Sequence, residues 1–216
     1  MMDEILDVFQ ARLLEENEKQ NLISRKTAAV EAPKHIADSL SLLQFVDLKG
    51  EKLVDIGSGA GFPGLILGIV SRETKVTLIE SDLKKSKFLT DTAEYLHAGN
   101  VRVVRERAEI VGQSPEFREK FTVCTSRAVA SIRIMLEYAL PLLKVGGSVY
   151  LWKGPKYQEE LAEAQNALQL LGGEVGEIYS YTLPETEARY LVQIKKKHAT
   201  AKKYPRNNGV PAKRPL

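Results

Sequence analysis

The stretch Asp55–Gly64, DIGSGAGFPG, decides the fold. It completes the apolar run LVDIG (53–57) and opens a helix-like stretch over 63–70. Glycines at 57, 59 and 61 let the backbone take positive φ and approach a ligand with no Cβ in the way. Pro63 suits the start of a helix, and the first amides of such a helix are a place for an anionic group. Strand, glycine turn and helix in that order form the repeating unit of parallel α/β sheets.

The neighbouring sequence continues the unit. VTLIE (76–80), VRVV (101–104), FTVCTS (121–126) and SVYLW (148–152) are short runs rich in β-branched residues, and helical stretches over 63–70, 82–97, 130–143 and 156–171 alternate with them. That rhythm predicts five parallel strands with helices on both faces. LVDIG and VTLIE lack polar alternation, as strands buried on both sides do. The end breaks the rhythm. EVGEIYSYTL (174–183) and ARYLVQIK (188–195) are joined by Pro184–Glu187 with no room for a helix, so they form an antiparallel hairpin. Ahead of the sheet, Met2, Leu6, Phe9 and Leu13 recur at helical spacing over 2–20, the segment 21–27 interrupts, and a second helix is expected to start near Pro33. The chain divides into a helical arm (1–50), a sheet domain (51–195) and a basic tail (196–216).

A chain of 216 residues, 44% hydrophobic and 27% charged, fits one globular domain with an accessory piece and excludes wholesale disorder. Its single cysteine, Cys124, allows no internal disulfide or thiolate cluster, and His35, His97 and His198 are too scattered for a local zinc motif, so no metal is expected. The acidic start MMDEILDVFQ lacks the basic-then-apolar pattern of a signal peptide. Leu65–Val70, broken by Gly68, is far shorter than the ~20 residues of a membrane span, so a cytoplasmic protein without a membrane partner is expected. The net charge of +3 is unevenly placed. Eight bases and no acid fall in 195–216, leaving 23 bases against 28 acids, a net of −5, for the rest. A +8 tail suggests a polyanionic partner. With three prolines and no apolar period, 196–216 reads as a tail ordered only on binding.

Two ligands fit the glycine turn. Gly59, Gly61 and Gly64 spell G-x-G-x-x-G, the dinucleotide fingerprint, and Glu80 at the tip of the second strand could grip a ribose hydroxyl. With Asp55 in front, however, the turn also reads D-x-G-x-G-x-G. An acid there can order the loop and sit near a cationic methionine moiety, and it would repel a pyrophosphate.

Beyond the turn, the segments NLIS (21–24), KHIADSL (34–40), RAEI (107–110), TSRAVAS (125–131), LWKG (151–154), ARYLVQIKK (188–196) and KKYPRNNGVPAKRPL (202–216) run nearly end to end. With these the chain resembles the RsmG (GidB) family, bacterial methyltransferases acting on guanine N7 of 16S ribosomal RNA. The resemblance implies an α/β fold of the class I S-adenosylmethionine-dependent methyltransferase (Rossmann-like) type, mostly parallel, ending in the antiparallel hairpin. It implies S-adenosylmethionine as cofactor and 16S rRNA, within a 30S subunit or an assembly intermediate, as partner; separately, a monomer is expected. The cofactor contacts it implies are Gly57, Gly59 and Phe62 in the loop, Glu80 at the ribose, Ala108 and Glu109 at the adenine, and Arg127 after the fourth strand. Glu80, Glu109 and Arg127 all fall at or just beyond the carboxyl ends of the predicted parallel strands, where open α/β sheets bind ligands. The residue readings left open beside these are a helix-capping Glu80, a solvated Glu109 and a fold-stabilising ion pair for Arg127.

Methyl transfer from a sulfonium is an in-line displacement in which positioning supplies most of the acceleration. No Asn/Asp-Pro-Pro-aromatic loop for an exocyclic amine follows the fourth strand, and Cys124 lies mid-strand as a buried thiol rather than a carbon-5 nucleophile. Guanine N7 loses no proton on methylation, so no general base is expected. A purine cation would be harmed by an unpaired arginine, which predicts an acid, phosphate or cofactor carboxylate beside Arg127. For RNA the candidates are Lys203, Tyr204 and Arg206 of the tail, together with Asn21, His35, Lys153 and Arg127. Spacing puts His35, Asp38 and Ser39 on one helix face, where a His–Asp hydrogen bond is the competing reading. Trp152 reads as core. Removal of 197–216 is expected to weaken RNA binding and spare the cofactor. The rival readings are an NAD-dependent oxidoreductase and a non-catalytic RNA-binding ribosome assembly factor.

Overall fold

The computed structural model describes residues 2–184 and 188–216. Seven strands form one sheet: β1 (Lys52–Ile56), β2 (Lys75–Ile79), β3 (Val101–Val104), β4 (Phe121–Arg127), β5 (Leu143–Lys153), β6 (Gly173–Tyr181) and β7 (Arg189–Lys196). Their order is β3-β2-β1-β4-β5-β7-β6, with β1 to β5 parallel and β7 antiparallel to both β5 and β6. This is the α/β sheet with a terminal antiparallel hairpin that the strand rhythm predicts. The expected hairpin link overlaps residues 185–187, which lie outside the described residues, as does Met1.

Alternate side chains of each strand enter two separate cores. Leu53, Val76, Val123 and Tyr150 pack on one face beneath α1 (Met2–Lys19), α2 (Ala28–Leu40), α3 (Gly64–Val70) and α4 (Leu83–Tyr95). Val54, Cys124, Val149 and Val192 pack on the other beneath α5 (Ala108–Gln113), α6 (Ile132–Ala139) and α8 (Gln165–Leu171), which α7 (Tyr157–Glu163) precedes. Because each face has its own helix layer, β1 and β2 carry apolar residues at successive positions.

The arm is helical and seated on the first core. Leu6, Phe9 and Leu13 are buried, whereas Met2, the first member of the expected stripe, is exposed. The stripe instead continues to Asn17, whose Oδ1 accepts the Leu22 and Ile23 amides at 2.8 and 2.9 Å and shapes the turn after α1. α2 begins at Ala28, not near Pro33, which lies inside it. Glu31 N–H donates to Thr27 C=O and fixes the first turn, so the proline removes one later bond without ending the helix. α5 has no counterpart among the expected helices: six residues are too few to show a period.

The largest departure is the tail. Residues 197–216 are packed against the second core and end in a short helix, α9 (Val210–Lys213). Tyr204 is 5% exposed and Lys196 is fully buried, its ammonium donating to Glu119 and to Leu143 C=O. Arg118 donates to the carbonyls of Thr200 and Tyr204, each at 2.7 Å, and Gln113 donates to Pro205 C=O at 2.6 Å. Arg206 grips the buried Glu137 of α6 with its backbone N–H, its Nε and its Nη2. The expectation of a tail ordered only on binding is therefore corrected. Backbone carbonyls taken up by arginine and glutamine side chains order a segment that has no apolar period.

Candidate active site

The carboxyl ends of the parallel strands converge on a cleft of about 630 Å³, lined among others by Gly57, Gly59, Phe62, Glu80, Arg127 and Trp152. Behind Gly57 and Glu80 a narrower recess of about 200 Å³ continues the cleft toward Ala108, Glu109, Tyr138 and Ala212. Gly57, Glu80, Ser81 and Val129 border both. Val129, from the turn after β4, lies directly over Gly57: a Cβ there would stand 2.5 Å from its Cγ2. Gly57 also has φ +71°, so the position excludes a side chain on two counts.

The glycine loop spends five of its amides, those of Gly57, Ser58, Gly59, Gly61 and Phe62, internally. Gly57 and Ser58 donate to Ile79 C=O, Gly61 and Phe62 to Ser58 C=O, and Leu65 and Ile66 of α3 to Gly61 C=O. Gly59 donates to Glu80 Oε2 at 2.9 Å. The first turn of α3 therefore does not present these groups to an anion, contrary to the expectation for a helix behind a glycine turn. A pyrophosphate would have to displace bonds already made, whereas a ligand without phosphate needs none of them.

Glu80 is buried and bridges the loop to the next helix, since its Oε1 accepts the Asp82 amide at 2.8 Å. Asp82, not Glu80, caps α4. A carboxylate has about four acceptor positions, so two remain for hydroxyls. Glu109, in the first turn of α5, is also buried rather than solvated; its Oε1 accepts the Gly209 amide at 2.8 Å.

Arg127 is held by an acid, one of the three partners that the charge argument allows. Its Nη1 donates to Asp38 Oδ2 at 2.7 Å, and its guanidinium stands 5.1 Å from the Phe62 ring centroid. Asp38 is 1% exposed and also accepts Tyr181 Oη at 2.6 Å, while its carbonyl accepts Trp152 Nε1 at 2.8 Å. Arg189 stands at 3.5 Å from the same carboxylate. Burial pushes the Tyr181 phenol upward, so it remains a donor. The His35–Asp38 hydrogen bond suggested by spacing is not what these groups make: the His35 ring packs on Phe62, 5.2 Å between centroids. Burial first and the Arg127 charge second push its imidazole below the usual value, which keeps it neutral at pH 7.

Asp55 sits deeper than the sequence suggests. It is fully buried, packs against Gly64 and accepts the Thr125 hydroxyl at 2.7 Å, so it braces β1 to β4 beneath the loop and does not line the cleft. Burial pushes its carboxyl up to about 6, against the opposing hydrogen bond from Thr125. Cys124 is buried mid-strand, where burial raises its thiol well above the ordinary value.

The RNA candidates separate. His35, Lys153 and Arg127 line the cleft, but the Lys153 ammonium is spent on Glu160 Oε2 at 2.7 Å and Ala130 C=O at 2.9 Å. It braces the Arg127–Ser131 turn instead of standing free for a phosphate. Asn21 is exposed just past α1, and its neighbours Leu22 and Ile23 reach the cleft. Lys203 is exposed, but Tyr204 has no open face for a base and Arg206 is occupied by Glu137, which corrects both as free RNA contacts. Arg189, Lys85 and Ala212 line the site without having been singled out. The hub at Asp38 spans 89 residues to Arg127 and 143 to Tyr181, separations at which no local pattern speaks.

Among the described residues no helix is long and apolar enough to cross a membrane. Residues 2–189 match the family model described as rRNA small subunit methyltransferase G. A protein of Syntrophomonas wolfei named ribosomal RNA small subunit methyltransferase G is 50% identical over 215 residues, spanning 100% of both chains. One of the same name from Lactobacillus johnsonii is 46% identical, covering 96% of this chain and 89% of its own. The fold is shared with a SAM-dependent methyltransferase from Aquifex aeolicus at a TM-score of 0.56 and 20% identity, over 74% of this chain and 89% of that one.

Proposed function

The chain belongs to the rRNA small subunit methyltransferase G family, and from that premise we propose that it transfers a methyl group from S-adenosylmethionine to N7 of a guanine in 16S ribosomal RNA. The observation that carries the choice of cofactor is the glycine loop, whose Gly57, Ser58, Gly59, Gly61 and Phe62 amides are bonded within the protein and whose rim carries the Glu80 carboxylate. That chemistry suits a cationic sulfonium with ribose hydroxyls and opposes the pyrophosphate of a dinucleotide. The cleft and its recess are also of the size that small ligands occupy.

In this reading Gly57, Gly59 and Phe62 border the amino-acid side, Glu80 takes ribose hydroxyls on its free acceptor positions, and Ala108 and Glu109 face the adenine from the recess. S-adenosylmethionine supplies an electrophilic methyl and a neutral leaving sulfur. The protein aligns the acceptor with that methyl and excludes water, which is where the acceleration arises. No residue need take a proton from N7. The purine becomes cationic as the methyl arrives, and the Asp38 carboxylate neutralises Arg127 so that the site does not oppose that charge. The neutral His35 adds none.

RNA enters at the wide end of the cleft, where Arg189, Lys85 and His35 stand, and the exposed bases Lys202, Lys203, Lys213 and Arg214 together with Asn21 meet more distant phosphates. The substrate is a 30S particle or an assembly intermediate, the target being presented by shape. The deciding experiment incubates the protein with labelled S-adenosylmethionine and either unmodified 16S RNA or 30S particles, then maps the modified base. Label at guanine N7 is expected; label confined to protein, or at another atom, overturns the proposal.

A further inference from the structure

We propose that the C-terminal segment 197–216 positions the adenine end of the cofactor site, acting through α5 and as a wall of the recess. The inference rests on the cofactor reading above. α5 has only six residues, too few to hold a helix by itself, yet its first turn carries Ala108 and Glu109. The tail holds it at both ends. At the first turn, the Gly209 amide donates to Glu109 Oε1 at 2.8 Å. At the last, Gln113 donates to Pro205 C=O at 2.6 Å, and Pro205 lies so close to Gly112 that a Cβ there would meet its Cγ at 2.8 Å.

The tail also enters the recess directly. Ala212 lines it together with Ala108, Glu109 and Tyr138 of α6. Its placement is fixed upstream by the Arg206–Glu137 clasp and the buried Tyr204. Gly209 takes φ +77° at the N-cap of α9, and its N–H is the donor to Glu109. One segment therefore anchors at 204–206 and shapes the site at 209–212. This reverses the expectation that the tail can be removed without touching the cofactor.

The test separates the anchor from the wall. A chain ending at Asn208 keeps Tyr204, Pro205 and Arg206 but loses Gly209 and Ala212. In the full chain, Ala212→Trp fills the recess that Ala212 lines. Affinities for S-adenosylmethionine and for 5′-methylthioadenosine, which keeps the adenine and ribose but no amino acid, are measured by calorimetry. Both ligands are expected to weaken by a common factor of about ten in the shortened chain and in Ala212→Trp, the scale of removing one charge-assisted hydrogen bond or filling a pocket. Equal affinity in parent and Ala212→Trp, or a loss confined to S-adenosylmethionine, overturns the proposal even if the shortened chain does not fold. A parent that binds neither ligand instead removes the cofactor reading on which the proposal stands.

Discussion

The arm and the tail are both appendages of the sheet domain, and they dock on opposite faces by different physics. The arm buries Leu6, Phe9, Leu13 and Ile36 in the first core, and from that apolar footing α2 delivers Asp38 and His35 to the wide part of the cleft. The tail buries the rings of Tyr204, Pro205 and Pro211, and Arg118, Gln113 and Glu137 reach out from the domain to hold its polar groups. From that polar footing it delivers Gly209 and Ala212 to the recess. Hydrophobic docking writes itself into the sequence as a period; polar docking to carbonyls does not, because the donor is distant and the acceptor belongs to every residue.

Asp38→Ala should break the arm's side most severely. It leaves Arg127 and the Tyr181 hydroxyl without their acceptor in a buried place, and loss of one partner of such a pair costs about 3–5 kcal/mol. Urea unfolding measures it, and a loss below about 1 kcal/mol would mean that the hub does not hold α2 to the sheet.

Between the two docking sites, Asp55 provides a reference that depends on neither. Its carboxyl is raised to about 6 in the fold, so the folded state binds its proton more tightly than the unfolded state. Stability from this group is therefore full below about pH 4 and declines as pH rises through about 6, by about 3 kcal/mol at most. Asp55→Asn keeps an acceptor for Thr125 and should remove that part of the slope. Unfolding curves at about pH 5 and pH 7.5 that differ by the same amount in both proteins would refute it.

On the tail's side, Arg206→Ala should cost about 2 kcal/mol and exceed Glu137→Ala. Glu137 is 1% exposed and would be left as a buried unpaired charge, whereas the Arg206 side chain, at 26%, can reach water. Limited proteolysis within 197–216 should rise in both variants. The reverse order would put the anchor elsewhere.

The smallest effect on the fold belongs to the exposed bases. Replacing Lys202, Lys203, Lys213 and Arg214 with alanine should change stability by no more than about 0.5 kcal/mol. The salt dependence of RNA binding should flatten by about 0.7 for each phosphate that is no longer neutralised. An unchanged slope would leave the tail as a cofactor-site element alone.

Much of the fold was legible because parallel strands buried on both faces write continuous apolar runs, as LVDIG and VTLIE do. α5 was not, since its six residues sit in place by contact with Pro205 and Gly209 rather than by their own pattern. Within the site, Gly57 and Glu80 could be found from a local turn and a strand end. Their roles could not: Glu80 closes the loop on Gly59, and Asp55 braces Thr125 below the cleft. The resemblance named Arg127, and charge reasoning asked for an acid, a phosphate or the cofactor carboxylate beside it. Which acid was settled by α2 crossing the ends of β4 and β5.

The sequence by itself determined what depends on neighbours a few residues apart: the glycine turn, the order of strands and helices, the closing hairpin and the family. Only the tertiary structure decided how charge is spent. The eight bases of 195–216 count alike in composition, yet Lys196 and Arg206 are tied to Glu119 and Glu137 while Lys202, Lys203, Lys213 and Arg214 remain exposed. A charge interacts with whatever the fold brings within a few ångströms, and its cost depends on burial, so the same residue type is a clasp in one place and a free phosphate contact in another.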